Sequence, residues 1–472
     1  MKHQLVQSER MIVKPGRALT GALWLVLLVF GVALPACGQD GPPNGAPPGR
    51  GGSGGRGGPG RPGGSGGTRS TPYTLSAAYT LNGGNEKTEN QSYRSATNDV
   101  SAILVQNGGD LTLLNPTVTT TGNSSSTENS SFYGLNAAVL ATQGSKVTII
   151  GGSVTSSGTG ANGVFASGRG AAIALSRVTI KATGDGGHGV MATGGGSLTL
   201  DNVDINTSRA RAAAIATDRG GGTITATGGT FRTSGSGSPG IYSTGNITAA
   251  NAIFSAAGSE AAVIEGRNSI AVSDCTLSGG GRCGVMIYQS FSGDAPGRQG
   301  TFTMNGGSLT ATVGPLFYVS NTRGVIALKG VKVAAGSGTL VSASADRWGR
   351  SGSNGGNAVF TADGETLDGN LTCDNISSLA ATLKNGTTLT GLVKGAALTM
   401  DSTSKWNVTA DSLLTSLSNP DGVSGTAITN IHGNGHQVRY NAGLPANHWL
   451  GGKTYDLAGG GSLLPGPVPP AP

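Results

Sequence analysis

Similar segments recur every 22 to 27 residues, and this repeat constrains the fold more than any other feature of the sequence. Three of them are AAVLATQGSKVTIIGGSVTSSG from Ala137, GVFASGRGAAIALSRVTIKATG from Gly163 and GVMATGGGSLTLDNVDINTS from Gly189. The apolar residues that anchor successive segments are Val139, Val164, Val190, Ala214, Ile241 and Val263. A repeat of this length is typical of solenoids, in which each unit buries its apolar side against its neighbours.

Each unit contains three short strand-like segments, of which the middle one is the clearest. Apolar residues recur there two apart with a small residue between them, which is the pattern of a strand with one buried face. The pairs are Val147/Ile149, Ile173/Leu175, Leu198/Leu200, Ile224/Ala226, Ile247/Ala249, Ile270/Val272, Phe302/Met304 and Ile326/Leu328. Three strands in such a unit predict an all-β protein, a single parallel β-helix of about 10 or more coils. No six-residue period appears, which argues against a left-handed hexapeptide helix.

The composition agrees with many short strands and excludes several other classes. Glycine accounts for 84 residues, charged residues make up 12%, and no amphipathic helical stretches of the kind that TIM barrels and doubly wound sheets need are visible. Residues 1–70 hold eight basic and two acidic side chains, a net charge of +6, whereas residues 71–472 hold 23 and 22, a net charge of +1. The repetitive region therefore lacks the positive field of a nucleic-acid-binding protein.

The first 70 residues have the pattern of an export signal followed by a tether. Residues 1–37 combine a basic start with a long apolar run that ends in LPAC, which resembles a bacterial lipobox and implies lipidation of Cys37. Simple secretion and an uncleaved membrane anchor remain the alternatives. Residues 38–70 contain 15 Gly and 6 Pro and are expected to be a disordered tether. Residues 71–460 are assigned to the β-helix and 461–472 to a Pro-rich tail.

Residues 75–460 resemble the right-handed parallel β-helix proteins of the pectin-lyase-like superfamily, in particular autotransporter passengers and secreted adhesin-like proteins. The segments LTMDSTSKWNVTADSLLTSL and HWLGGKTYDLAGGGSLLP are similar to the last coils of such proteins. The resemblance implies a right-handed helix, and the lipobox-like run at Cys37 implies an exported bacterial lipoprotein at the outer membrane or cell surface. It also implies a non-catalytic role in adhesion or glycan binding. A polysaccharide lyase or glycoside hydrolase acting on uronic-acid polymers, and a structural spacer, are the alternatives.

The first strand of each unit is apolar on both faces, although only one face can point into the core. One column runs through Val139, Val164 and Val190, and the other through Leu140, Phe165, Met191, Ile215, Tyr242, Ile264, Met286 and Tyr318. The second column is either covered by other parts of the chain or forms a docking face for a partner. The exposure of Phe165, Met191, Tyr242 and Tyr318 distinguishes these two interpretations.

Two long insertions, QSFSGDAPGRQG and ADRWGRSGSNGGN, occur at the same corner of nearby coils, with NTRG between them. In a stacked helix these loops adjoin and would bring together aromatic and arginine side chains that suit acidic sugars. The predicted ligand-binding residues are Tyr288, Phe291, Arg298, Arg323, Arg347 and Trp348. Asp294 and Asp346 are weak catalytic candidates. Arg–Asp pairs that only fix the loops in place are the alternative.

Two further residues stand out from the repeat. His188 lies in a GHG sequence similar to a short polygalacturonase motif, but the neighbouring coils lack the matching aspartates, so we interpret it as part of the scaffold. Glu265 falls in a column of small residues and is either a buried carboxylate or ordinary surface. No cofactor motif is present, and histidines 432, 436 and 448 lack the spacing of a metal site.

Overall fold

The structure is a computed structural model that describes residues 73–466. The chain winds into a right-handed parallel β-solenoid of about 16 turns. Successive turns pair in parallel, so that Leu198 lies between Ile173 of the turn before and Ile224 of the turn after. The predicted fold, with three short strands in each coil, is confirmed. The predicted signal peptide, lipidated Cys37 and tether lie outside the described residues.

Three sheets run along the solenoid. The first sheet contains Ser76–Asn82, Val100–Gln106, Val139–Ala141, Val164–Ser167, Val190–Thr193, Ile215–Asp218, Ile241–Ser243, Ala262–Glu265, Val285–Tyr288, Phe317–Ser320, Thr339–Ala343 and Asn370–Cys373. The second contains Asn85–Glu89, Asp110–Leu114, Lys146–Ile150, Ala172–Ser176, Gly196–Asp201, Gly222–Thr227, Asn246–Ala250, Ser269–Ser273, Gln299–Asn305, Arg323–Lys329, Asn357–Asp363 and Ser378–Lys384. The third contains Ser92–Ser95, Thr117–Thr120, Ser153–Ser156, Thr179–Ala182, Asp204–Thr207, Thr230–Thr233, Ile253–Ala256, Thr276–Gly279, Ser308–Ala311 and Lys332–Ala335.

The last coils depart from this plan. Two long strands, Val393–Met400 and Ser412–Ser418, pair with each other, and the first of them pairs with strands of both the first and the second sheet. The remaining strands are Thr366–Asp368, Thr388–Gly391, Lys405–Val408, Val423–Ser424, Ala427–His432, Gln437–Tyr440, Tyr455–Ala458 and Ser462–Pro465. Ser462–Pro465 pairs with Gln437–Tyr440, so the sheet extends into the segment 461–472 that was predicted to be a tail. Strand structure thus continues past the predicted boundary at residue 460 as far as Pro465.

Helices are short and few in the described chain. They are the α-helix Thr127–Tyr133 and the 3-10 helices Pro420–Gly422 and Pro445–Leu450. The α-helix begins after Ser126, whose side-chain oxygen accepts a hydrogen bond from the Asn129 N–H at 3.1 Å. It ends at Gly134, which has a left-handed φ of 78°. A Cβ on Gly134 would lie 2.7 Å from the Leu140 side chain, so the helix approaches the first sheet closely at this glycine.

The core inside the coils is built from every second residue along the strands. In the second sheet the inward residues, such as Leu198 and Leu200, are buried, whereas Thr199 between them is exposed. Corners between sheets require left-handed backbone, which Asn202 adopts with a φ of 50°. Gly228 follows it in the next coil, where a Cβ would lie 2.4 Å from the Asn202 Oδ1 atom. The local sequence therefore allows the corners to stack as closely as the strands do.

Candidate functional site

The outer face of the first sheet is covered by other parts of the chain. Phe165 and Met191 are fully buried and Tyr242 is 2% exposed, while Tyr318 is half-buried. They belong to a second apolar cluster that is separate from the core inside the coils. The hypothesis of an open docking face is therefore wrong, and the alternative of cover by loops and insertions describes the structure.

The first of the covering segments contains the α-helix. The Thr193 hydroxyl donates a hydrogen bond to the Phe132 carbonyl at 2.8 Å, which fixes the helix to the first sheet. The guanidinium of Arg219 lies 3.7 Å from the centre of the Phe132 ring. Its own strand, Ile215–Asp218, ends at the preceding residue. Arg219 thus connects the helix with the sheet beneath it.

The same arginine holds the second covering segment, the loop 289–298. Arg219 forms an ion pair with Asp294 at 2.8 Å and a longer one with Glu128 of the helix at 3.4 Å. Asp294 is thereby bound and largely enclosed, which is not the environment expected of a catalytic acid open to substrate. The Asp294 interaction corresponds to the alternative that Arg–Asp pairs fix the loops.

The third covering segment is the insertion 344–356. Asp346 pairs with Arg282 at 2.5 Å, and the Arg282 guanidinium lies 4.9 Å from the centre of the Tyr318 ring. Burial opposes ionisation of Asp346, but the Arg347 backbone N–H and the Arg282 guanidinium outweigh it and lower the pKa of this carboxyl. Asp346 is therefore ionised, and its ion pair with Arg282 holds the insertion 344–356 in place. Neither weak catalytic candidate has the free carboxyl expected of a general base.

Aromatic side chains join the second and third covering segments. The Trp348 ring lies 5.2 Å from Tyr288 and 6.0 Å from Phe291, measured between centroids, and the Arg347 guanidinium lies 4.7 Å from the Trp348 ring. Trp348 and Tyr288 are buried, so they support the loops and do not reach a ligand. Phe291 is 68% exposed. Of the six predicted ligand-binding residues, four present accessible side chains, namely Phe291, Arg298, Arg323 and Arg347.

A buried carboxylate lies beneath these loops. Glu265 is 3% exposed and accepts hydrogen bonds from the Tyr242 hydroxyl at 2.6 Å and the Tyr288 hydroxyl at 2.9 Å. Ser290 of the loop also donates to it. Burial and the negative charge of Glu265 raise the pKa of both tyrosines well above the usual value of 10. Glu265 is thus the buried carboxylate that one of the two expectations named, although it points out of the coil and is buried by the loop instead of by the core.

Asp218 is the second buried carboxyl in this region. Burial is the main cause that raises its pKa to about 8, and the nearby Asp294 and Glu265 act in the same direction. The Arg219 backbone N–H donates to Asp218 at 2.8 Å and partly opposes the shift. Asp218 is thus mainly protonated at neutral pH. The signal in the sequence was an Asp-Arg pair at the end of a first strand where the neighbouring units have small or hydroxyl residues.

His188 is part of the scaffold. It is buried, its backbone N–H donates to the Asn162 Oδ1 atom at 2.9 Å, and its Nδ1 atom accepts from the Ala213 N–H at 3.0 Å. Burial lowers its pKa to about 4, so the ring is neutral at physiological pH. Asn162 accepts a backbone hydrogen bond from the next coil, and His188 does the same one coil later.

Candidate metal sites and membrane-spanning helices are both absent from the residues that the structure describes. Within residues 73–466 no group of three or more His, Cys, Asp or Glu side chains is arranged to hold a metal ion. No helix in this part of the chain is long and apolar enough to cross a bilayer. Cys275, Cys283 and Cys373 are thiols and form no disulfide in the described chain.

Comparison with known proteins agrees with the fold. Residues 162–333 match the family described as right handed beta helix region. No curated protein and no solved structure shows a significant match to this chain. The match agrees with the right-handed β-solenoid of the structure, and the matched segment includes Arg219, the carboxyls Asp218 and Glu265, and the loop 289–298.

Proposed function

We propose that this protein is an exported β-helix protein that binds an acidic glycan at the surface formed by the loops 289–298 and 344–356. The single observation that carries the proposal is the exposure of Phe291. Its ring is 68% exposed beside the buried Trp348, on a loop that ion pairs and a buried carboxylate hold in place. An aromatic face held on a rigid scaffold is suited to stack on a sugar ring.

The charges around Phe291 support an acidic sugar. Arg298, Arg323 and Arg347 are all exposed, and the Arg323 N–H donates to the Arg298 carbonyl at 3.2 Å. A guanidinium can bind a carboxylate or sulfate through two parallel hydrogen bonds. Asp294 is already bound to Arg219 beneath the loops. Asp346 is bound to Arg282 and also interacts with Arg347, so the charge of Arg347 is partly balanced.

Binding of the full-length protein to uronic-acid and neutral oligosaccharides, measured by calorimetry, tests this proposal. We expect acidic sugars to bind, Phe291→Ala to weaken binding about fivefold or more because it removes the exposed ring, and Arg347→Ala to weaken it roughly two- to fivefold because it removes one exposed charge. Ile253→Ala and Arg232→Ala on the third sheet are matched controls and should leave affinity unchanged. Equal affinity of all four variants, or no binding of any acidic sugar, would refute the proposal.

A polysaccharide-cleaving enzyme is the second candidate, since two carboxyls, Asp218 and Glu265, lie under a loop that carries a third, Asp294. Asp218 is protonated at neutral pH and Glu265 and Asp294 lie near enough to influence it. Lifting the loop 289–298 would expose the acid Asp218 and the carboxylate Glu265 to a glycosidic bond. Release of reducing ends or unsaturated products from uronic polymers, abolished by both Asp218→Asn and Glu265→Gln, would favour this candidate. Binding without product formation favours the first.

The export route belongs to the same proposal. Cys37 ends an apolar run of the lipobox type, and a lipid on its thiol would hold the β-helix at a membrane surface. Metabolic labelling with a fatty acid should mark the wild-type protein but not Cys37→Ser. Labelling of both proteins, or of neither, would remove the lipid anchor from the proposal.

A further inference from the structure

Exposed arginines occupy one corner in three successive coils, the corner between the first and second sheets. Arg267 follows the strand Ala262–Glu265, Arg298 ends the loop of the next coil, and Arg323 begins the strand Arg323–Lys329 of the coil after that. All three side chains are exposed. The row therefore runs from coil to coil along the solenoid, and not around a single coil.

Backbone contacts place the three arginines at the same corner of neighbouring coils. The Arg267 N–H donates to the Pro296 carbonyl at 3.3 Å, and the Arg323 N–H donates to the Arg298 carbonyl at 3.2 Å. Gly297 has a φ of 98°, and a Cβ there would lie 2.7 Å from the Arg267 Cβ. Glycine thus allows the loop to lie directly on Arg267. Arg323 pairs in register with Gln299, so Arg298 is offset by one residue along the strand, while neighbouring coils in the sheet are ~4.8 Å apart.

None of the three arginines forms an ion pair with a carboxylate of the described residues, and Asp346 on the loop of the following coil is bound to Arg282. Residues 261–338 contain three acidic side chains, Glu265, Asp274 and Asp294. Glu265 is buried and Asp294 is bound to Arg219. Asp274 is exposed but lies at the opposite end of the second-sheet strand, where that strand turns into the third sheet. The corner with the arginines is therefore a strip of positive charge beside Phe291.

We infer that a linear polysaccharide with an anionic group on its successive sugars lies along this corner, parallel to the solenoid axis. Each coil contributes one guanidinium, and each guanidinium meets one carboxylate or sulfate of the polymer. Phe291 stacks on one sugar and fixes the position of the polymer along the row. This inference rests on the proposed glycan binding and adds the linear form, the charge pattern and the direction of the ligand.

The dependence of affinity on ligand length tests the inference. Full-length protein is titrated with uronic-acid oligomers of increasing length, with sulfated oligomers, and with single-stranded oligonucleotides of matched charge. We expect affinity to rise with oligomer length until three coils are spanned. Arg267→Gln, Arg298→Gln and Arg323→Gln should each weaken the binding of long oligomers by roughly two- to fivefold, the range of an exposed ion pair. The triple variant should bind long and short oligomers equally, and Arg232→Gln is the matched control.

The outcomes separate this inference from the proposal on which it rests. If short acidic sugars bind through Phe291 but affinity does not rise with length, or the triple variant keeps the length dependence, the inference is wrong and the glycan site remains. If no acidic sugar of any length binds, both are wrong. Oligonucleotides that bind as tightly as the uronic-acid oligomers would show a general polyanion surface and would also overturn the inference. If the length dependence is found, comparing the affinities of uronic-acid and sulfated oligomers shows which anionic group the three arginines prefer.

Discussion

The outer faces of the first and third sheets belong to the same coils, but the first is covered by other parts of the chain and the third is exposed. Residues that point outward from the third sheet, such as Lys181 and Arg232, are exposed in simple alternation with buried residues. In the first sheet Phe165 and Met191 point outward and are fully buried. The backbone of the coils needs only one buried face in each sheet. The second buried layer is thus a local addition, made by the helix and the two loops, and it lies under the proposed binding surface.

The strongest test of this contrast is to truncate one outward side chain on each sheet. Phe165→Ala should destabilise its coils by about 3–5 kcal/mol, the cost of a buried phenylalanine, because Leu140 and the helix pack around it. Ile253 on the third sheet is 47% exposed in the native protein, so Ile253→Ala should change the free energy of unfolding by about 0.5 kcal/mol or less. Chemical denaturation and hydrogen exchange of the strand Val164–Ser167 measure both. Similar small effects would show that the first sheet is not covered in solution.

His188, at the entry to a first-sheet strand, should make the protein sensitive to acid. Its folded pKa of about 4 lies below its usual value of 6.5, so on acidification the unfolded chain binds the proton first. The contribution of His188 to the free energy of unfolding is therefore fully present above pH 6.5. It is lost as the pH drops towards 4, by roughly 3 kcal/mol in total. His188→Asn keeps an acceptor for the Ala213 N–H and should remove this part of the pH dependence. Parallel stability curves for both proteins between pH 7 and 4 would contradict the assignment.

Much of this arrangement follows from the sequence, and the register of the strands shows where the sequence becomes ambiguous. The second-sheet columns were predicted residue by residue, and Leu198 does pair with Ile224. In the first sheet Val190 pairs with Ile215, not Ala214, and Ile241 pairs with Ala262, not Val263. Because both faces of the first-sheet strands are apolar, the alternation of residues does not show which ones point into the core. A one-residue shift in strand register therefore cannot be detected from sequence.

The site depends on contacts that are distant in the sequence. The ion pair of Arg219 with Asp294 joins residues 75 positions apart, and nothing in the repeat pattern favours this arginine over those within the loops. Glu265 was recognised as unusual, but its column was misplaced by the same slip, since it pairs with Tyr288. The sequence thus located the loops, whereas only the folded chain shows which side chains they bury.

Asp218 should have the opposite pH dependence to His188. Its folded pKa of about 8 lies above the usual value of 3.8, so the unfolded chain releases the proton first and stability is lost as the pH rises from about 4 to 8. Asp218→Asn resembles the protonated form and should stabilise the protein at pH 7 and above by roughly 2 kcal/mol, and not at all near pH 4. This gain is less than the full shift implies, because the amide adds a buried N–H.

Asp368→Asn is the matched control for this measurement, because Asp368 is exposed on the strand Thr366–Asp368. Thermal unfolding of the two variants and the wild type across the pH range gives the comparison. The assignment of Asp218 as a protonated, enclosed carboxyl would be lost if both substitutions had the same effect at every pH.

The smallest effect is expected at Arg219, although it connects the most parts. Its side chain is 31% exposed, so solvent screens its ion pairs and Arg219→Gln should cost only about 1 kcal/mol of global stability. Its local effect should be larger. The substitution removes the pair with Asp294 and the contact with Phe132 together, so hydrogen exchange should accelerate in both the loop 289–298 and the helix Thr127–Tyr133. Arg232→Gln should leave both segments protected. Faster exchange in only one segment would mean that each is fixed to the first sheet separately, and that the second buried layer consists of independent covers.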